Sequence, residues 1–141
     1  MRFMFRYDPA AARREAPIHV QVKLTDLPAT DPDGFARVGG EVVRVFRGET
    51  ALRHGASIEF RLWMCRRGRE PTGPAYAYYE DLVAKGYMEA YLEGSPPDCR
   101  LVAYEFCLLS EPSDDPRLRV DDLDRSLPVP KKWWQFWRSL L

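Results

Sequence analysis

Arg61 and Trp63 stand two residues apart in Ile58-Glu59-Phe60-Arg61-Leu62-Trp63-Met64-Cys65, with Arg44 upstream and Arg66 and Arg67 just downstream. A guanidinium grips phosphate through a planar fork, and a tryptophan offers a wide π-face for stacking. Spacing of two puts Arg61 and Trp63 on one face of a strand, opposite Ile58, Phe60, Leu62 and Met64. Arg44, Arg61, Trp63, Arg66 and Arg67 therefore have the chemistry of a contact surface, for a protein or for single-stranded nucleic acid. The plainer alternative packs Trp63 under a terminal segment and pairs the arginines with acids elsewhere in the chain. A formal net charge of zero favours that alternative over a nucleic-acid role.

The second candidate is Lys131-Lys132-Trp133-Trp134-Gln135-Phe136-Trp137-Arg138-Ser139-Leu140-Leu141. Drawn as a helix, Trp133, Phe136, Trp137 and Leu140 share a face, and Lys131, Lys132 and Arg138 supply cations at both ends. Three uses compete: burial of the rings on the protein's own body, docking into a protein partner's groove, and shallow binding to a membrane surface.

Catalytic chemistry has little support. His19 and His54 have no carboxylate or thiol at a recognisable spacing and read as solvated surface histidines. The chain shows no Gly-rich phosphate cradle, nucleophile elbow or metal-ligand cluster, so the expectation is a non-enzyme with no cofactor and no metal. Asp114-Asp115 and Asp121-Asp122 lack the alternation and the glycine of a calcium loop.

At 141 residues, 45% hydrophobic and 30% charged, the chain suits one domain. No apolar run reaches the roughly 18 residues of a membrane-spanning helix, and Met1–Asp8 lacks the apolar core of a secretory signal. Cys65, Cys99 and Cys107 have no metal spacing and read as buried reduced thiols, which points to the cytoplasm. Charge is segregated. Residues 37–69 carry eight Arg against three Glu, and residues 70–124 carry thirteen acids against four basic residues. Two sides of one body neutralising each other account for this without a partner.

Around these residues the chain divides into an N-terminal arm (1–17), a strand-rich body (18–110), an acidic, Pro-rich linker (111–130) and the aromatic tail (131–141). In the arm, Pro9 and Pro17 bracket Ala10-Ala11-Ala12 and leave little room for a helix. Phe3 and Phe5 there suit a strap over the body. Ile18-His19-Val20-Gln21-Val22-Lys23-Leu24 alternates as a strand, with His19, Gln21 and Lys23 facing out. The residues from Ala36 to Arg69 supply two more strands joined through Gly48 and Gly55. Pro74 opens a helix over 75–85 that Gly86 stops; 87–93 alternates as a strand, with a continued helix through Val83, Tyr87, Ala90 and Tyr91 as the alternative, and 100–109 is a strand.

Three strands, one helix and two strands is the order of the OB-fold, a mainly β, five-stranded, partly open barrel with its helix between strands three and four. Gly40-Glu41-Val42-Val43-Arg44-Val45-Phe46-Arg47-Gly48 followed by Gly55-Ala56-Ser57-Ile58-Glu59-Phe60 resembles the netrin-like variant of that barrel. Members of that family are usually secreted and disulfide-stapled, and this chain departs from them. The functional expectation is a non-catalytic binding or scaffolding module. It contacts a protein through the tail or the Arg/Trp face, with single-stranded nucleic acid and a membrane surface as alternatives.

Overall fold

The computed structural model describes residues 8–28, 34–50, 52–70 and 76–120. Helix α1 (Pro9–Glu15) precedes strands β1 (Ile18–Asp26), β2 (Gly34–Arg47) and β3 (Ser57–Cys65). A two-residue strand β4 (Ala77–Tyr78) runs into helix α2 (Tyr79–Lys85), followed by β5 (Tyr87–Ser95) and β6 (Asp98–Leu109). β1 pairs antiparallel with both β2 and β5, β2 with β3, and β5 with β6. A parallel bridge from Glu59 of β3 to Asp98 of β6 closes the ring. The result is a closed five-stranded mixed barrel, β1-β2-β3-β6-β5, with β4 added parallel to the end of β3. That circuit, with α2 between β3 and β5, is compatible with an OB-like fold.

The interior follows from side-chain alternation. Ile18, Val20 and Val22 of β1 meet Ile58, Phe60, Leu62 and Met64 of β3 and Met88, Ala90 and Leu92 of β5, and Leu82 of α2 joins them. β2 is long enough to serve two neighbours: Gly34–Glu41 pairs with β3, and Gly39–Arg47 pairs with β1. It changes neighbour at Gly39-Gly40. A Cβ on Gly39 would lie 2.9 Å from Asp26 Cβ, and one on Gly40 would lie 3.0 Å from the Lys23 carbonyl oxygen. Only glycine lets the two backbones approach so closely at the bend.

Two elements differ from expectation. Pro9 and Pro17 do not exclude a helix, because Pro9 occupies the first helical turn, where its missing N–H costs nothing. Asp8 caps that helix by accepting from the Ala10 and Ala11 amides at 3.1 and 3.3 Å. The second helix begins at Tyr79 rather than Ala75, because Ala77 and Tyr78 are taken into the sheet beside Met64 and Cys65. Gly86 does end it, at φ +84, with its amide donating to the Leu82 carbonyl at 3.1 Å. Pro74, Phe3, Phe5 and the tail 131–141 lie outside the described residues. No helix among those described is long and apolar enough to cross a membrane.

Candidate functional site

The outer faces of β2 and β3 form one wall of an open cleft of about 1030 Å³. Across the strand pair Phe35 lies opposite Trp63, and Arg37 lies opposite Arg61. The Phe35 and Trp63 rings meet edge to face, centroids 4.8 Å apart, and Phe35 remains 55% exposed. Trp63 Nε1 is buried with no hydrogen-bond partner among the described residues. The far wall comes from the end of β5 and from β6, including Arg100 and Ala103. There Leu92 pairs with Leu101 but Ala90 pairs with Phe106, so residues 102–105 bulge out opposite Tyr91. Ala103 sits in that bulge at φ +49, a conformation that L side chains rarely adopt.

The cations of the cleft are unequal. Arg37 Nη1 holds Glu59 at 2.7 Å, and Arg100 Nε stands 3.7 Å from Glu93. Arg61 is exposed and has no ion-pair partner among the described residues. Glu59 and Asp98 also line the cleft, so it is mixed in charge.

Of the five residues singled out in the sequence, Arg61 and Trp63 share this cleft and the other three do not. Arg44 lies further along β2, its Nη1 donating to the Val43 carbonyl at 2.8 Å and its Nη2 3.4 Å from Asp114. Arg67 donates to Asp81 at 2.6 Å with its guanidinium 4.2 Å from the Tyr78 ring centre. Arg66 lies over Tyr79 at 5.2 Å and 3.9 Å from Glu80. These pairs join the basic and acidic stretches of the chain to each other. Trp133, Phe136, Trp137 and Leu140 lie outside the described residues.

A second polar cluster occupies the outer face of β1 and β5, and here the sequence expectation is corrected. His19 is not a solvated surface histidine: it is 4% exposed, and Gln21 beside it is fully buried. Both do point out of the barrel, as their alternation requires, but residues 113–118 cover that face. The fully buried carboxylate of Glu89 on β5 accepts from four donors. They are His19 Nε2 at 2.7 Å, Gln21 Nε2 at 2.8 Å, and the Arg117 and Leu118 amides at 2.8 Å each. Gln21 also exchanges two hydrogen bonds with Ser113, donating to its hydroxyl and accepting from its amide, both 2.8 Å. Tyr91 stacks on His19 at 3.9 Å and donates its hydroxyl to the Leu118 carbonyl at 2.6 Å.

From the other side, Arg47 and Arg13 close over Tyr91 at 5.7 and 6.0 Å. Arg47 donates to the carbonyls of Arg13 and Ala16 at 2.6 Å, satisfying oxygens at the end of α1. Arg13 in turn binds Glu105 and the Arg119 carbonyl. The expected solvated linker is thus, as far as residue 119, a strap clamped to the barrel.

Burial pushes Glu89 toward the neutral form, but the bonds from His19, the Arg117 amide, Gln21 and the Leu118 amide outweigh it and hold the carboxyl below its usual range. This clamp contributes stability that is complete above the unfolded carboxyl pKa, near 4.5, and disappears as pH falls through the lower folded value. Urea midpoints measured from pH 7 down to 3 should therefore fall below about pH 4.5, and the fall should flatten in Glu89→Gln. Cys107 lies opposite Glu89, and burial together with that negative charge pushes its thiol up to about 11. It is a poor nucleophile at neutral pH. The cluster is a buried clamp between strand face and strap, and none of its residues lines the cleft.

The described residues hold no group of three His, Cys, Asp or Glu side chains placed to bind a metal ion. Compared with known proteins, the chain matches no family model and no curated sequence.

Proposed function

We propose that the protein is a non-catalytic binding module and that the cleft between β2–β3 and β6 is where it takes a protein partner. The observation that carries this reading is the grouping of exposed Phe35, the Trp63 edge and Arg61, which has no ion-pair partner among the described residues, on one sheet beside an open space. Aromatic and arginine side chains supply most of the free energy of protein contacts when they sit together in a partly desolvated pocket. Glu59 and Asp98 in the same walls weigh against a polyanion, since single-strand binders track phosphates with a consistently basic groove. The aromatic pair and Arg61 on the second and third strands of an OB-like barrel favour single-stranded nucleic acid as the second reading. A role for 131–141 at a protein or a membrane rests on sequence alone.

The test is the double variant Trp63→Ala, Arg61→Ala. Affinity for a captured and purified partner should fall roughly 100-fold, the effect of losing two central anchors. Equal affinity for wild type and variant contradicts the cleft as the contact surface. Binding of an oligothymidylate that weakens steeply with salt and is lost in the variant replaces the protein reading with the nucleic-acid one.

A further inference from the structure

We infer that the partner enters the cleft as an extended peptide, adds as a strand to the open edge of β3, and sets an acidic side chain against Arg61. This inference rests on the protein-binding reading above.

The edge is identified by one hydrogen bond. The Glu59 amide donates to the Pro97 carbonyl at 2.7 Å, so the main chain at Glu59 faces β6 rather than β2. In an antiparallel pair the hydrogen-bonding direction alternates with each residue. Ile58, Phe60 and Leu62 therefore exchange bonds with Gly40, Val38 and Ala36, while Arg61 points its N–H and C=O the same way as Glu59. Among the described residues, pairing between β3 and β6 stops at Glu59–Asp98, and β3 gains its next neighbour on this side at Met64, through β4. Between those points no described residue pairs with β3 on this side, and the cleft lies along the gap, with Arg61 and Trp63 on one side and Arg100, Leu101 and Ala103 on the other. The bulge at 102–105 takes β6 out of regular pairing at this level. An unpaired strand edge is a template for another chain, and a peptide added there gains main-chain bonds without rearranging the sheet.

The side chains state what the peptide carries. Arg37 is neutralised by Glu59 and Arg100 stands near Glu93, which leaves Arg61 as the cation with no acid against it among the described residues. One carboxylate fits that position. A run of phosphates would also meet Glu59 and Asp98. Alternate peptide residues face the Phe35 and Trp63 rings and call for an apolar side chain.

The experiment uses the full chain and a library of linear twelve-residue peptides, selected on the wild type and counter-selected on Trp63→Ala, Arg61→Ala. One selected peptide is then synthesised, and amide hydrogen exchange at Arg61 is followed as it is added. The expected result is a peptide with an acid flanked by apolar residues, and Arg61 amide exchange slowed at least tenfold at saturation. Arg61→Pro, which removes that amide, should weaken binding at least tenfold beyond Arg61→Ala, which removes only the cation. Exchange on the unaltered protein decides the question even where Arg61→Pro does not fold. A peptide that perturbs the Trp63 indole yet leaves the Arg61 amide exchanging freely overturns strand addition and leaves the protein-binding reading intact. So does the absence of any selected peptide while a folded partner still depends on Trp63 and Arg61. An oligothymidylate that displaces the peptide and binds more tightly overturns the peptide in favour of nucleic acid. Binding of every ligand unaffected by the double variant overturns both readings.

Discussion

Glu89→Ala is expected to lower the unfolding free energy by about 3–5 kcal/mol, the cost of removing one member of a buried, hydrogen-bonded charge cluster. Four donors converge on this carboxylate, and truncation leaves all four facing a cavity. His19 and Gln21 are too deeply buried for solvent to replace what is lost. Two of the donors are main-chain amides of the strap, so its hold on the barrel should weaken as well. Equilibrium urea unfolding gives the magnitude. Glu89→Gln, which keeps the shape and one acceptor, should fall between wild type and alanine. A loss under 1 kcal/mol for Glu89→Ala is what a solvated surface carboxylate gives and is inconsistent with the clamp.

Leu82→Ala should be nearly as damaging, at about 2–5 kcal/mol for truncating a fully buried leucine. α2 has seven residues, far too few to be stable as an isolated helix in water. Leu82 is the only buried residue of that helix, and it packs into the barrel core among the β-strand side chains. Its neighbour Val83 is 57% exposed and provides the control: Val83→Ala should change stability by no more than about 0.5 kcal/mol. Similar losses for the two would mean that α2 does not seat Leu82 in the core.

The parts of this fold that are legible in the sequence are those written in side-chain parity. Ile18 to Leu24 and Ile58 to Met64 alternate, and their inward residues are the inward residues of the barrel. Parity says which way a side chain points and nothing of what lies beyond it. His19, Gln21 and Glu89 point outward as alternation requires. They are nevertheless buried, because a strap nearly a hundred residues away from β1 in sequence folds over them. Polar side chains on a covered face look the same in a sequence as polar side chains in water. The available signal was weak: a tyrosine two residues after Glu89, and polar residues in 110–120 able to answer Gln21.

The same limit applies to the arginines. Arg44, Arg61, Arg66 and Arg67 are alike as residue types, and only the strand register shows that Arg61 alone of the four lies in the cleft. Arg37 and Phe35, which complete that surface, escape notice because the strand extends to Gly34, before the β-branched run that marks it. Pro9 was misleading in the opposite sense, since proline breaks the interior of a helix but suits its first turn.

One outer face of the barrel is covered by a strap, and another carries a stretch of β3 edge with no neighbour among the described residues. Residue-resolved amide hydrogen exchange on the free protein tests both halves at once. Slow exchange is expected at the Arg117 and Leu118 amides, although neither lies in a helix or strand, and fast exchange at Arg61 between slow neighbours Phe60 and Leu62. Arg117 and Leu118 exchanging at the rate of an unstructured chain, or an Arg61 amide as protected as those beside it, would contradict this arrangement.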